Sequence, residues 1–465
     1  MPHPAVIITG LLCCAGLLIL PDKGSAQLIE LPTSQTALLG RFARGPVDWP
    51  VEVGATTFDS LFGSADPAAW PAEVQARQFF ANGGNSLHIV RVAPKGPLNE
   101  ALSGRESDLT GLHALEPLSN LRLLLAPELS LLTPMSFAST FGRFRAFLEP
   151  RRVFFILDPP PGLAGASAAV DWVETSVPTD AAFCAVYYPY LQVLQNGASW
   201  RVPASGAMAA VYAKSDSITG IWRSPAGSTL SIAAQTLFPS LGASDLDLLN
   251  THHVNSLRTL IGSGIVPWGA RTLDRNNSDN LYVSLVRTRG WIAASLERAL
   301  AFAATQKNNQ TLWDQILISA GTFLNSLYQR GAFAGITARD AYFAKCDAST
   351  ITAADLAAHR VNLLYGVAWI RPAEFDLQQL TASTSDLARP VPTPAIVGHV
   401  IAGTLALAYP TQPGFTYTLE SSPSLRPGTW TAETPGEAGD GAWRRPVLPM
   451  ATDNRFYRLR VTAAP

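Results

Sequence analysis

The stretch LNTHHVNSLRTLIGSGIVPWGARTL, Leu249 to Leu273, decides how the chain is read. It reads as a turn, a short strand, a glycine turn, a second short strand and a second glycine turn. Gly262 and Gly264 flank a serine, so the backbone can take positive φ there. Ile265, Val266 and Trp268 are apolar, and Gly269 lets the backbone pass another group closely. The stretch holds no nucleophile beside a base and no cluster of metal ligands. It reads as a rigid packed ribbon.

Downstream of the ribbon, LYVSLVRTR (Leu281 to Arg289) alternates and predicts a strand. Two amphipathic helices are expected next, near Trp291 to Ala304 and near Leu312 to Gln329, with Gly331 as the cap of the second. AYFAKCD (Ala341 to Asp347) reads as a strand, TAAD (Thr352 to Asp355) as a capping box, and LLYGVAWIRPAEF (Leu363 to Phe375) as a strand.

Upstream, apolar runs with few charges predict buried parallel strands: LRLLLAP (Leu121 to Pro127), VFFILDPP (Val153 to Pro160) and AFCAVYYP (Ala182 to Pro189). A helix carrying Phe137, Phe141, Phe144, Phe147 and Leu148 separates the first two. An alanine-rich helix around Val170 and Trp172 separates the last two. The order is β-α-β-α-β, hence a doubly wound α/β sheet. No glycine-rich phosphate fingerprint follows a strand, so nucleotide binding is not supported. Nearer the N-terminus come a strand, a Gly-Pro turn at Gly45 and Pro46, another strand, a helix over Ala72 to Ala81, and the strand SLHIVRV (Ser86 to Val92). His88 reads as a satisfied half-buried histidine.

Several motifs in this order carry a resemblance. Val254, Asn255, Gly262, Gly264, Trp268, Gly269, Ala270, Arg271, Thr272 and Leu273 resemble the C-terminal domain of contractile tail sheath proteins of phages, tailocins and related injection systems. The run R-G-A-F-x-G at Arg330 to Gly335, the pair Cys346-Asp347 and the P-A-E-F at Pro372 to Phe375 follow in the same domain. The N-terminal part is similar too: Gly40, Arg41, Arg44, Gly45 and Pro46, then Leu61-Phe62-Gly63, then Phe79, Phe80, Asn82, Gly83 and Gly84, then Val90-Arg91-Val92. VPASGAMAAVYAKSDSITGIWRSPAG, Val202 to Gly227, resembles the end of the sheath middle domain. The resemblance covers roughly residues 30 to 376. It implies a sheath-type α+β core with an inserted subtilisin-like, doubly wound middle domain.

A subtilisin-like fold raises the question of catalysis. Asp158 is expected at a strand end and Ser205 in a tight turn of small residues. The base histidine such a site needs between them is missing, since no histidine lies between Ala114 and Thr251. The expectation is no enzyme, with no catalytic, cofactor or metal site.

At 465 residues the chain should hold two to four domains with ample core. Charged residues are 15% of 465 and the net charge is −1, which gives no electrostatic footprint for nucleic acid. Cys13, Cys14, Cys184 and Cys346 form no disulfide framework and no zinc pattern, and read as buried thiols. VIITGLLCCAGLLIL, Val6 to Leu20, is too short to span a membrane comfortably but has the length of a signal-peptide core, with a cleavage site after Ala26. A misassigned start or a buried N-terminal strand are the other readings, because the first five residues carry no Lys or Arg.

The chain therefore divides into a leader at 1–27, a sheath-like N-terminal region at 28–100, a middle domain at 101–240, a sheath-like C-terminal domain at 241–380, a Pro/Ser/Thr linker at 381–399 and a small β-sandwich module at 400–465. The module's Tyr417, Leu419, Glu420, Ser422, Leu425, Trp430 and Phe456 to Arg460 resemble a C-terminal module of secreted bacterial proteins.

The sheath resemblance implies a homo-oligomer of stacked rings around an inner tube, attached to a baseplate, and contracting without ATP in this chain. Two arms would join subunits by adding strands to neighbours' sheets. Here the leader stands where the N-terminal arm should begin, and the C-terminal arm, DLQQLTASTSD, is weakly strand-like. The inter-subunit or structural candidates are Arg41, Arg44, Arg271, Trp268, Glu374 and Phe375. The alternative is an exported envelope or surface protein that reuses the sheath fold; a subtilisin-like hydrolase ranks third. The particle belongs in the cytoplasm if it is a contractile tail, and outside the cell if the leader directs export.

Overall fold

The computed structural model describes residues 28–463 apart from 29, 65, 67, 68, 196, 385–391, 402, 424–428 and 451–454. The leader, with Cys13, Cys14 and the cleavage site after Ala26, lies outside the described residues, as does Leu425.

An eight-stranded sheet forms the body. Its order is Gly264–Pro267, Val254–Leu260, Cys184–Tyr188, Phe154–Leu157, Leu123–Leu125, Thr36–Gly40, Leu87–Arg91 and Val51–Val53. The six inner strands are parallel, in registers such as Val254↔Val186, Phe155↔Cys184, Leu123↔Phe154, Ala37↔Leu124 and Ala37↔His88. The two outermost strands run antiparallel to their neighbours.

Both faces are apolar, which is why these strands read as unbroken hydrophobic runs. Alternate residues divide between two cores. Leu39, Val90, Leu124, Phe155 and Val186 face the helices Pro134–Arg151 and Ala166–Ser176. Leu38, Ile89, Leu123, Phe154 and Tyr187 face the helices Pro71–Ala81 and Ser205–Thr219. The sheet crosses the positions 100 and 240 where the sequence places domain boundaries: Thr36–Gly40 pairs with both Leu87–Arg91 and Leu123–Leu125.

A third core joins the helices Val283–Leu300 and Gln310–Gln329 to a three-stranded antiparallel sheet of Tyr342–Lys345, Arg360–Ala368 and Phe375–Ser383. The expected strand over Leu281 to Arg289 is not formed; the helix starts at Val283 and absorbs it. Its buried residues Val283, Ser284, Arg287, Thr288, Trp291 and Ile292 recur at helical spacing. Thr352 and Asp355 form the expected capping box, with the Thr352 Oγ1 accepting from the Asp355 amide at 3.1 Å. Gly331 sits at φ +75° just past the second helix.

The C-terminal module consists of two small antiparallel sheets, built on Thr404–Pro410 and Phe415–Ser422. Its first strand, Val397–Ile401, starts inside the stretch read as linker, and Phe375–Ser383 runs into that stretch from the other side. The module rests on the edge of the large sheet. Trp49 is 5% exposed and packs with Ala406 and Ala408. The Arg445 guanidinium lies 5.2 Å from its ring, and the His399 ring 5.0 Å away.

Candidate functional site

The ribbon is a hairpin. Val254–Leu260 pairs with Gly264–Pro267 through a turn with Gly262 at φ +82° and Gly264 at φ +74°. Asn255 organises its far end. The Nδ2 donates to the carbonyls of Arg271 (2.8 Å) and Val186 (3.2 Å), and the Oδ1 accepts from the Arg271 amide at 2.6 Å. One buried side chain thus ties the returning chain to two strands, and it is the group that passes close to Gly269. Arg271 itself donates through Nη1 to the carbonyl of Asn250 at 2.8 Å. Trp268 stays half exposed with the Arg258 guanidinium 5.2 Å over its ring.

Arg41 and Arg44 bind backbone rather than carboxylates. The Arg41 Nε and Nη2 donate to the carbonyls of Ala93 (3.2 Å) and Gly96 (2.7 Å), and Arg44 donates to that of Asp59. Beside them Arg91 donates to three carbonyls, of Phe42, Ala43 and Gly45, and so fixes the loop after Thr36–Gly40. The strand order reverses here, where open α/β sheets usually bind ligands. In this chain protein fills that place. The buried Glu128 Oε1 accepts from the Arg41 amide at 3.0 Å, and burial pushes its carboxyl up to about 7.

Asp158 and Ser205 do meet. The Ser205 Oγ donates to Asp158 Oδ2 at 2.7 Å and its amide to Oδ1 at 3.0 Å. Ser205 is not in a turn, as the sequence suggested, but is the first residue of the Ser205–Thr219 helix, whose free amides Asp158 helps to satisfy. Asp158 is 2% exposed and Ser205 1%, and burial raises the carboxyl to about 7. No histidine bonds to either residue among the described residues, and no surface brings a substrate to them. The contact is structural. The next residue, Gly206, packs so tightly that a Cβ there would lie 2.1 Å from the Gln75 carbonyl oxygen.

Glu374 and Phe375 stand at the hairpin after Arg360–Ala368. Glu374 makes an exposed ion pair with Arg371 at 3.3 Å, and the Phe375 ring meets Phe343 edge-on at 5.2 Å. From Phe375 the chain folds back on itself, in register from Ala368↔Phe375 to Arg360↔Ser383. The segment expected to be weakly strand-like is therefore a nine-residue edge strand of its own sheet. Its outer side is unpaired among the described residues, and Leu377 is 58% exposed on it.

The six candidates thus lie in three separate places rather than one site. Sequence reasoning missed two features. One is the pair Arg287–Asp216, because the alternation of Leu281 to Arg289 predicts a strand around Arg287. The other is Trp49 as the seat of the C-terminal module, because nothing local links it to residues 350 positions away. Cys184 and Cys346 are buried free thiols, and burial pushes the Cys346 thiol up to about 12. Among the described residues no group of three or more His, Cys, Asp or Glu could hold a metal ion, and no helix is long and apolar enough to cross a membrane.

No protein-family model matches the chain, and no curated protein does. Solved structures do match. The sheath complex of an extracellular contractile injection system, PVC, in its contracted state is 24% identical, with 82% of this chain and 97% of that chain covered and a TM-score of 0.61. The helical sheath of the anti-feeding prophage in its contracted state is 23% identical, covering 80% and 99%, with a TM-score of 0.62. A chain of the anti-feeding prophage baseplate is 23% identical, covering 83% and 100%, with a TM-score of 0.60. The chain has the α+β fold of contractile-injection-system sheath proteins.

Proposed function

We propose that the chain is the structural subunit of a contractile tail-sheath-like assembly, which polymerises in rings around an inner tube and drives it by contraction. One observation carries the reading: the fold is shared with nearly the whole length of sheath subunits, 97% and 99% of them, rather than with one module. Such a subunit works by shifting between two packings and needs no nucleotide site. The filled crevice at Glu128 and the closed Asp158–Ser205 contact support a non-enzymatic role. Its partners are other copies of itself, an inner tube protein and a baseplate.

The large sheet corresponds, in this proposal, to the doubly wound, subtilisin-like layer of sheath proteins, with Thr36–Gly40 and Leu87–Arg91 built into it. Arg41, Arg44 and Arg271 hold the backbone in place. Trp268, Glu374 and Phe375, on or beside exposed edges, are the candidates for contacts between subunits.

A second reading is an exported envelope or surface protein that reuses the fold. The Phe375–Ser383 strand favours it, because this segment pairs within its own chain. Negative-stain electron microscopy of native protein from lysate and medium, with N-terminal sequencing, separates the two. Striated tubes of two lengths establish a contractile sheath. Single particles starting at Gln27 would sink that reading and leave the exported protein.

A further inference from the structure

A cavity of about 410 Å³ lies where the start of Leu123–Leu125, the end of Pro134–Arg151, the helix Val283–Leu300 and the C-terminal module meet. Four arginines line it: Arg122, Arg151, Arg152 and Arg298. Three of them have a carboxylate. Arg152 makes a bidentate pair with Glu297 at 2.6 and 2.5 Å. Arg298 reaches Asp440 at 2.6 Å, and Arg151 reaches Glu116 at 3.5 Å.

Arg122 has none. It is 6% exposed. Its Nη1 donates to the carbonyl of the adjacent Leu121 at 3.2 Å, and its Nε hydrogen-bonds nothing among the described residues. Burial, and then repulsion from Arg152, lower its pKa to about 10 against a weaker opposing pull from Glu297, so it remains a cation at neutral pH. A buried guanidinium that no carboxylate bonds is unfavourable, and the nearby Glu297 carboxylate is already engaged by Arg152. Next to it on the same wall, the Asn120 Oδ1 is also buried without a partner.

We propose that this cavity is a binding site for a small oxyanion, a phosphate or carboxylate group, that pairs with Arg122. A guanidinium presents several donors in one plane and matches such a group. Asp440, Gly441 and Pro413 of the C-terminal module and Leu31 of the N-terminal segment complete the wall. The anion therefore fastens the module to the body. Free phosphate and the carboxylate of a side chain or chain end present the same chemistry.

The test is thermal unfolding of the full chain in phosphate, in acetate and in chloride at equal ionic strength, with 31P NMR line broadening of inorganic phosphate. Arg122→Met keeps the bulk and removes the unpaired charge, so it should be at least as stable as the wild type in chloride. The expected result is a midpoint that rises and saturates with millimolar anion in the wild type and not in Arg122→Met. A preference for phosphate marks a free anion, and an equal response to acetate marks a carboxylate; both support the site. Absence of a saturable rise with either anion overturns it, as does a rise that survives in Arg122→Met. Should Arg122→Met fail to fold, Arg122→Lys keeps the charge and loses the fork. Anion binding weakened at least tenfold then supports the proposal, and unchanged binding overturns it.

Discussion

Arg287 and Asp216 form a bidentate ion pair inside the protein, at 2.9 and 2.7 Å, with both side chains 2% exposed. The same guanidinium donates to the Thr33 carbonyl at 3.1 Å and lies 4.8 Å from the Tyr212 ring. It therefore locks the helix Val283–Leu300 to the helix Ser205–Thr219 and to the N-terminal segment. Burial disfavours the charge on Arg287, but Asp216 more than offsets this and the pKa ends above the usual arginine value. Removing one partner strands the other charge. Asp216→Leu or Arg287→Met should each cost about 3–5 kcal/mol of unfolding free energy. The double variant Asp216→Leu with Arg287→Met should recover most of that. Urea unfolding of the four proteins measures it, and strictly additive losses would refute the stranded-charge account.

Asn255→Ala should destabilise the chain by roughly 2–3 kcal/mol, because it leaves the part-buried amide of Arg271 and the carbonyls of Arg271 and Val186 without this partner. The loss should appear as faster hydrogen exchange at Arg271 and along Val254–Leu260. Unchanged exchange there would mean that the ribbon holds itself.

The buried acids make a pH prediction with a definite sign. Asp158 and Glu128 both have folded-state values of about 7, above their ordinary values of 3.8 and 4.5. The folded protein thus holds protons that the unfolded chain releases. The stability they contribute is fully present below about pH 4 and is lost as pH rises through about 7. For Asp158 the loss is on the order of 4 kcal/mol. Asp158→Asn keeps an acceptor for the Ser205 amide and cannot ionise, so its stability should fall less steeply between pH 4 and 7 than the wild type's. Identical slopes in unfolding midpoints against pH would show that Asp158 is already ionised in the fold.

Which parts of this structure could be read in the sequence follows from where the information lies. Leu121–Pro127, Val153–Pro160 and Ala182–Pro189 were readable because strands buried on both faces leave continuous apolar runs. Leu281–Arg289 misled because the buried face of its helix carries Ser284, Arg287 and Thr288, which look polar and hide the stripe. The motif Y-A-x-x-D, Tyr212 to Asp216, was legible as a pattern, yet its reason is a partner 71 residues away. The same holds for V-P-x-S-G, where Ser205 answers Asp158 and Gly206 answers Gln75. Pairings of this kind are set by the closed fold and leave no local trace. The placement of Thr36–Gly40 inside the sheet, between strands 51 and 87 positions on, is another.

Trp49→Ala should free the C-terminal module without unfolding the body. The substitution removes the ring that Arg445 and His399 cover and leaves a cavity against Ala406 and Ala408, a loss of about 3–5 kcal/mol at that contact. Limited proteolysis should then cut the chain between the body and the module at rates well above the wild type's, with the body's unfolding midpoint little changed. Equal cutting rates would mean that contacts other than the Trp49 ring, such as Arg298–Asp440, hold the module.

The outer edge of Phe375–Ser383 separates the assembly reading from the alternatives. It is nine residues long and its only charge is Asp376, which the Trp369 indole and Arg289 engage at 2.9 and 2.6 Å. Natural edge strands that must stay unpaired usually carry a lysine or a bulge. Neither guards this one, so it is open to a strand from another copy. Leu377 projects from it at 58% exposure, and Leu377→Lys adds the missing charge with a stability change within about 0.5 kcal/mol. In an assembling protein this variant should stay monomeric by size-exclusion chromatography and form no tubes in negative stain, while the wild type forms both larger species and tubes. Tubes of normal length from Leu377→Lys would remove this edge from the assembly and shift the contact to the exposed ribbon at Trp268.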